Sequence, residues 1–397
     1  MVTEGEATLS LGLEWGMMTA MFAKIVLSLS PLPLLLASCG ATTAGDSPGA
    51  ASEAAEAFAR EELATFNEPW AAAVAPGTQT LFVTEKSGAI RYFEVASKRQ
   101  GSVTGAPTVD YGGQGGLGDI AFLPSESAAN LARRTIFLTW AEAGGSDTRG
   151  AALGRGTLVC NPADACRIEG LSVIWRQQPK VTGRGHYSHR IVLSPDGKFL
   201  FVASGDRQKM TPAQDPASDL GKVIRLPIDA QGNPTGPAER YSLGHRNILG
   251  LTFDASGRLW DLEHGPAGGD ELNLVEQGQN YGWPLVSDGD HYDGRAIPRN
   301  STRPDLAAPA ISWNPVIAPG DFLFYSGKMW PAWKGQALIA GMGYEGLVRV
   351  SLSGTKGTEQ ARYPMGKRIR EIVEAPDGSL LLLEDKAGGR LVRLSKK

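Results

Sequence analysis

After residue 70 the chain rarely keeps apolar residues at helical spacing. They fall in short runs or alternate with polar residues, and each run ends at a turn. One phrase recurs: a turn, an apolar strand, a second turn, a second strand. "APGTQTLFVTEKSGAIRYFEV" (75–95), "SPDGKFLFVASGD" (194–206), "DASGRLWDLEHG" (254–265) and "APDGSLLLLEDKAGGRLVRL" (375–394) carry it closely. "LPSESAANLARRTIFLTW" (123–140) and "SGKMWPAWKGQALIAGMGYEGLVRVSL" (326–352) carry it loosely. Pro-Asp-Gly and Ala-Ser-Gly form turns, and the residues after them suit strands. Six such copies predict an all-β fold, a six-bladed β-propeller of four-stranded antiparallel blades. A two-sheet sandwich is the rival, but it would seldom repeat one phrase at this spacing. Ligand chemistry then belongs in the long loops between repeats: 111–119, 181–190, 206–222, 240–250, 263–292, 313–325 and 364–371.

The N-terminus differs. Residues 1–16 carry three acids and no base, but Met17, Met18 and Met21 are followed by Lys24 and "IVLSLSPLPLLLASCG". A base, a short apolar stretch and a small-residue end read as a signal peptide over 1–39, with a true start at one of the later methionines. Pro31 and Pro33 interrupt a stretch already too short to span a membrane. Leu36-Ala37-Ser38-Cys39 resembles a bacterial lipobox, with Cys39 the lipidated residue; a plain cleaved signal is the alternative. Residues 40–60 then read as a flexible tether rich in Ala, Ser, Gly and Thr, and 61–397 as the propeller. Gly40 is not an aspartate, so the expected place is the periplasmic side of the outer membrane, reached only through the lipid anchor.

Composition agrees with many short strands: 50 glycines and 25 prolines accompany 42% hydrophobic residues. A net charge of −3 without basic blocks argues against nucleic acid as a partner. Cys160 and Cys166, in "CNPADAC", suit a disulfide in an exported protein; a metal site would need a second Cys or His pair nearby.

"EHGPAGGDELNLVEQGQNYGWP" (263–284) is unlike an ordinary strand or helix, because its glycines and prolines hold the backbone in special conformations beside carboxylates. The five histidines, His186, His189, His245, His264 and His291, all fall between 186 and 291. Histidine suits proton abstraction near neutral pH; zinc ligation is the other reading, without a recognisable spacing. Arg190, Arg246-Asn247, Arg368 and Arg370 stand in the same loops. Arginines place fixed donors on carboxylates or quinone-type oxygens, unless they simply face solvent.

Taken in order, "GHYSHR", "GD" (205–206), "LGHRN", "EHGPAGGDELN", "NYGWP" and "RIREIVEAPDG" resemble the soluble quinoprotein aldose sugar dehydrogenases of the glucose/sorbosone dehydrogenase family. The likeness runs from Pro69-Trp70 to the C-terminus. It implies oxidation of an aldose at C1 to the lactone, with pyrroloquinoline quinone (PQQ) as hydride acceptor and Ca²⁺ as its companion. His186 would be the general base, Asp206 its orienting carboxylate and Arg190 its partner in a His-x-x-x-Arg pattern. Arg246, Asn247, His264, Arg368 and Arg370 would hold PQQ, and Gln114 would contact the sugar. The carbonyls of Gly265 and Pro266 would meet the cofactor's Ca²⁺; Glu271 and the Tyr281 carbonyl would bind a second, structural one. Electrons would leave to a soluble periplasmic acceptor.

Two departures stand out. Ser188-His189 replaces the usual small residues, and Gly341-Met342-Gly343 stands where the family has a lysine, so either PQQ is held more weakly or Lys367 reaches in from the neighbouring loop. These departures favour a rival reading, a non-catalytic lipid-anchored propeller that binds sugars or envelope polymers. A calcium lactonase would need several carboxylate or amide side chains around a channel metal.

Overall fold

Each recurrent phrase folds around the connection between the first and second strands of a sheet, and in the 194–206, 254–265 and 375–394 copies an aspartate closes the turn. Asp196 Oδ1 accepts the Ser194 hydroxyl at 2.6 Å and the Lys198 N–H at 3.1 Å, and Asp254 Oδ1 accepts the N–H groups of Ser256 and Arg258 at 2.9 and 3.0 Å. The glycine that follows must be left-handed, with φ +70° at Gly197, +77° at Gly257 and +85° at Gly378.

The computed structural model describes residues 58–161 and 165–397. Strand β1 (Ala59–Asn67) is followed by a first blade of β2 (Pro69–Val74), β3 (Thr80–Glu85), β4 (Ile90–Glu94) and β5 (Arg99–Thr104). The second blade is β6 (Leu117–Phe122), β7 (Arg133–Ala143), β8 (Arg149–Cys160) and β9 (Cys166–Arg176). The third is β10 (Ser188–Leu193), β11 (Phe199–Ser204), β12 (Lys222–Pro227) and β13 (Glu239–Leu243). Then come β14 (Ile248–Phe253), β15 (Leu259–Glu263), β16 (Asp270–Val275) and β17 (Ile311–Trp313). The fifth blade is β18 (Pro319–Phe324), β19 (Ala337–Gly341), β20 (Gly346–Ser353) and β21 (Lys356–Pro364). The sixth has β22 (Ile369–Glu374), β23 (Leu380–Glu384) and β24 (Ala387–Ser395), and takes β1 as its outer strand. The first strands of neighbouring blades pack side by side in a closed ring, so the fold is the expected six-bladed propeller.

Alternation along each strand serves two interfaces at once. Phe82 packs toward the second blade, whereas Leu81 and Val83 pack toward the sixth. Strands buried on both faces read as continuous apolar runs, of which "LLLL" at 380–383 is the plainest. Cys160 and Cys166 are joined as a disulfide across the β8–β9 hairpin. Phe58 is buried against Trp330, Trp333 and Tyr363, and Ala59 already begins β1, so these residues of the expected tether pack on the propeller. Cys39 and the leader lie outside the described residues.

The central channel is tied by Arg190 of β10. Its guanidinium donates to the carbonyls of Leu249 (2.6 Å, β14) and Gly320 (2.8 Å, β18) and lies 4.6 Å from the Trp70 ring (β2). Carboxylates of Glu371 (2.8 Å, β22), Asp321 (3.7 Å, β18) and Asp119 (3.8 Å, β6) surround it. One side chain thus touches an inner strand of every other blade.

Candidate active site

The connections opposite the aspartate turns, second strand to third and fourth strand to the next blade, surround a cavity of about 270 Å³. Gln114, His264, Arg368, Arg370 and Asn247 line it, together with Tyr187, His189, Trp70 and Met342. Arg368 Nε and Arg370 Nε donate to the two oxygens of Asp385 at 2.9 and 3.0 Å. One carboxylate therefore serves two guanidiniums, and the wall keeps an excess positive charge.

Beside the cavity His186 and Asp206 form a dyad, with Nδ1 2.7 Å from Asp206 Oδ1. Asp206 is fully buried and also accepts the Trp283 indole N–H at 2.8 Å and the Gln208 N–H at 2.8 Å. Despite its burial, the His186 contact, then Trp283 and Gln208, hold its pKa below the ordinary carboxylate value. It is an anion, so His186 carries its proton on Nδ1, and Nε2 has no hydrogen-bond partner among the described residues. Burial first, then the charges of Arg246 and Arg207, pull His186 below 6.5 against the pull of Asp206. The imidazole is neutral and basic at Nε2.

The loop carrying the dyad is held in place by Arg207. Its guanidinium donates to the carbonyls of Gly185 (2.8 Å), Arg149 (2.7 Å) and Gly183 (2.6 Å), and lies 3.6 Å from the Tyr187 ring. Gln114 Oε1 accepts the His186 N–H at 2.7 Å, which joins the dyad to the cavity. On the other side Arg246 lies 5.1 Å from the Trp283 ring, and its Nε, buried, has no partner among the described residues. Asn247 Oδ1 is likewise unpartnered among them. His264 Nε2 donates to the Pro319 carbonyl at 2.6 Å, and burial pushes this imidazole down to about 3, so it is neutral with only Nδ1 free.

Gly265, Glu271 and Tyr281 meet around a second, small cavity with Glu263. The carbonyls of Gly265, Pro266 and Tyr281 accept no hydrogen bond among the described residues. Glu271 accepts from Asn300 Nδ2 at 2.7 Å, yet burial and the neighbouring Glu263 raise it well above the usual carboxylate range. Free carbonyls among crowded carboxylates are the donor set a hard divalent cation takes. Likewise, the unmet Arg246 Nε–H beside a cation-walled cavity fits a polycarboxylate quinone.

Two sequence expectations are corrected. Arg190 does not join His186; the irregular start of β10, between Ser188 and Ile191, turns it into the channel, where its donors are spent. Lys367 is exposed and does not line the cavity, whereas Lys86 and Lys386 do. His245 is also structural: it is fully buried, with Nδ1 3.0 Å from Asp261 and 3.3 Å from Glu263. Burial disfavours its charge, but these two carboxylates raise it to about 9. Arg207, Trp283 and Asp385 were missed as site residues, although Arg207 directly follows the noticed Gly205-Asp206, Trp283 sits inside "NYGWP" and Asp385 inside the 375–394 repeat.

Residues 66–393 match the model of the glucose/sorbosone dehydrogenase family, and the chain belongs to it. The aldose sugar dehydrogenase YliI of Escherichia coli strain K12 is 32% identical over 347 residues, covering 83% of this chain and 91% of that protein. The apo-form crystal structure of the soluble aldose sugar dehydrogenase from Escherichia coli superposes with a TM-score of 0.77 at 31% identity, covering 86% of this chain and all of that one. The PQQ-bound aldose sugar dehydrogenase from Streptomyces coelicolor shares the fold, with a TM-score of 0.67 at 24% identity over 86% of this chain and 99% of its own.

Proposed function

We propose that this protein is a PQQ- and calcium-dependent sugar dehydrogenase that oxidises an aldose at C1 to the lactone. The observation that carries this is the His186–Asp206 dyad, neutral at Nε2, beside a cavity walled by Arg368 and Arg370. Arg246, Asn247, His264, Arg368 and Arg370 would hold PQQ. Carbonyls of Gly265 and Pro266 would meet its calcium, and Glu271 with the Tyr281 carbonyl a second one. When bound, PQQ supplies the acceptor for the hydride leaving C1, and Ca²⁺ polarises it. His186 Nε2 takes the proton of the anomeric hydroxyl. The imidazolium so formed stays paired with Asp206, which does not move. Gln114, its carbonyl oxygen occupied by His186, turns its amide N–H groups to the sugar.

A lactonase gains nothing from the channel carboxylates, because Arg190 occupies the position a metal would take among Asp119, Asp321 and Glu371. The test is a dye-linked assay against a panel of aldoses, with and without added PQQ and Ca²⁺. Dye reduction that requires both additions and an aldose supports the reading. Sugar binding with no dye reduction under any condition would favour the non-catalytic rival.

A further inference from the structure

His189 is unaccounted for by the roles given so far. It is the second residue of β10, with φ +72°, a left-handed backbone that non-glycine residues seldom adopt, and is 1% exposed. Its ring stacks on Tyr187, with centroids 5.2 Å apart and planes at 4°, and meets Trp70 edge-on at 5.8 Å. Room for it comes from Gly118, where a Cβ would lie 2.6 Å from the His189 Cβ. The residue lines the cavity walled by Arg368 and Arg370, yet neither of its ring nitrogens has a partner among the described residues.

Burial, then the charges of Arg207 and Arg190, push this imidazole down to about 3. It is neutral, with one N–H to give and one lone pair to fill. Leaving both unmet in aromatic surroundings is costly, so a buried histidine without partners at the wall of a cavity asks for a ligand. The orphaned atoms of Arg246 and Asn247 pose the same demand nearby. His189 is buried, whereas Gln114, at the same cavity, is exposed. The occupant that reaches His189 is therefore the one seated deepest.

We propose that His189 is a cofactor-binding residue, donating its ring N–H to an oxygen of the anionic quinone while Tyr187 fixes the plane of the ring. This rests on the reading of the cavity as a PQQ site.

The experiment titrates the full-length apo-protein with PQQ at fixed Ca²⁺, following tryptophan fluorescence. It compares wild type with His189→Phe, which keeps the ring stack but removes both nitrogens, and His189→Gln, which restores a donor and an acceptor. One hydrogen bond to a charged group implies a loss of roughly 10- to 100-fold in PQQ affinity for the Phe variant, and a recovery of most of it in the Gln variant. In ¹⁵N-histidine-labelled wild type, the His189 resonances should move when PQQ is added and stay put with Ca²⁺ alone, a result that stands even if a variant fails to fold. Equal affinity of the Phe variant and wild type, or unmoved His189 resonances at saturation, would overturn the His189 assignment and leave the cofactor reading intact. Absence of PQQ binding by wild type would overturn both.

Discussion

At the scale of single residues, the chemistry depends on one nitrogen. His186→Ala should lower turnover of the reconstituted protein by roughly 10²- to 10⁴-fold, the usual contribution of a positioned base, with PQQ affinity little changed. The pH dependence follows from its neighbours. Because its pKa lies below 6.5, kcat/KM should be flat through neutral pH and fall only as acid protonates Nε2 below that value. A limb centred above 6.5 would contradict the assignment of His186, and a pH–rate profile of wild type decides it. The residue types here were legible: His186, Asp206, Gln114, Arg368 and Arg370 stand in motifs, and the fold brings them to one place. Arg190 was misread because spacing along a chain says nothing of which way a bulged strand turns a side chain.

Among elements, the Arg190 hub makes a separate prediction. Removing the cation leaves Asp119, Asp321 and Glu371 buried without a counter-charge, at a cost of about 3–5 kcal/mol. Burial already raises Asp321 to about 6 and lifts Glu371 well above the ordinary carboxylate range, against the pull of Arg190. An acid whose pKa is raised in the folded state loses stability as pH rises from its unfolded value through its folded one. Arg190→Met should therefore be destabilised far more at pH 8 than at pH 5 in urea denaturation. An equal loss at both would mean that the carboxylates are not what Arg190 serves. The repeat was readable for a related reason: aspartate–glycine turns recur at the first hairpin of three blades, where local geometry dictates sequence. Those turns lie on the face away from the site. Lys86, Asp385 and Lys386 sit in second-to-third-strand connections, which looked like more of the same repeat, so sequence reading assigned them no role.

For the whole molecule, closure depends on β1, whose "AREE" start is an exposed outer edge with little apolar signal; that is why the sequence suggested a tether up to residue 60. Deleting residues 58–67 leaves the outer edge of β24 unpaired and should give a protein that self-associates in gel filtration and unfolds at lower temperature; a monomer with unchanged melting would refute closure by β1. Localisation is a separate proposal. Lipidation at Cys39 would place the propeller at the outer membrane facing the periplasm, passing electrons to a soluble carrier. Wild type should then fractionate with membranes and Cys39→Ala with the soluble periplasm; identical fractionation would refute the anchor.

The central claim is that hydride from a sugar reaches a quinone held beside His186. It is tested most directly by loading the apo-protein with PQQ and Ca²⁺, removing oxygen, and recording the cofactor's absorption as an aldose is added. The account predicts full conversion to the reduced cofactor by about one equivalent of sugar in wild type, and a rate lowered by orders of magnitude in His186→Ala. A wild-type protein that binds PQQ but whose spectrum no aldose changes would contradict it.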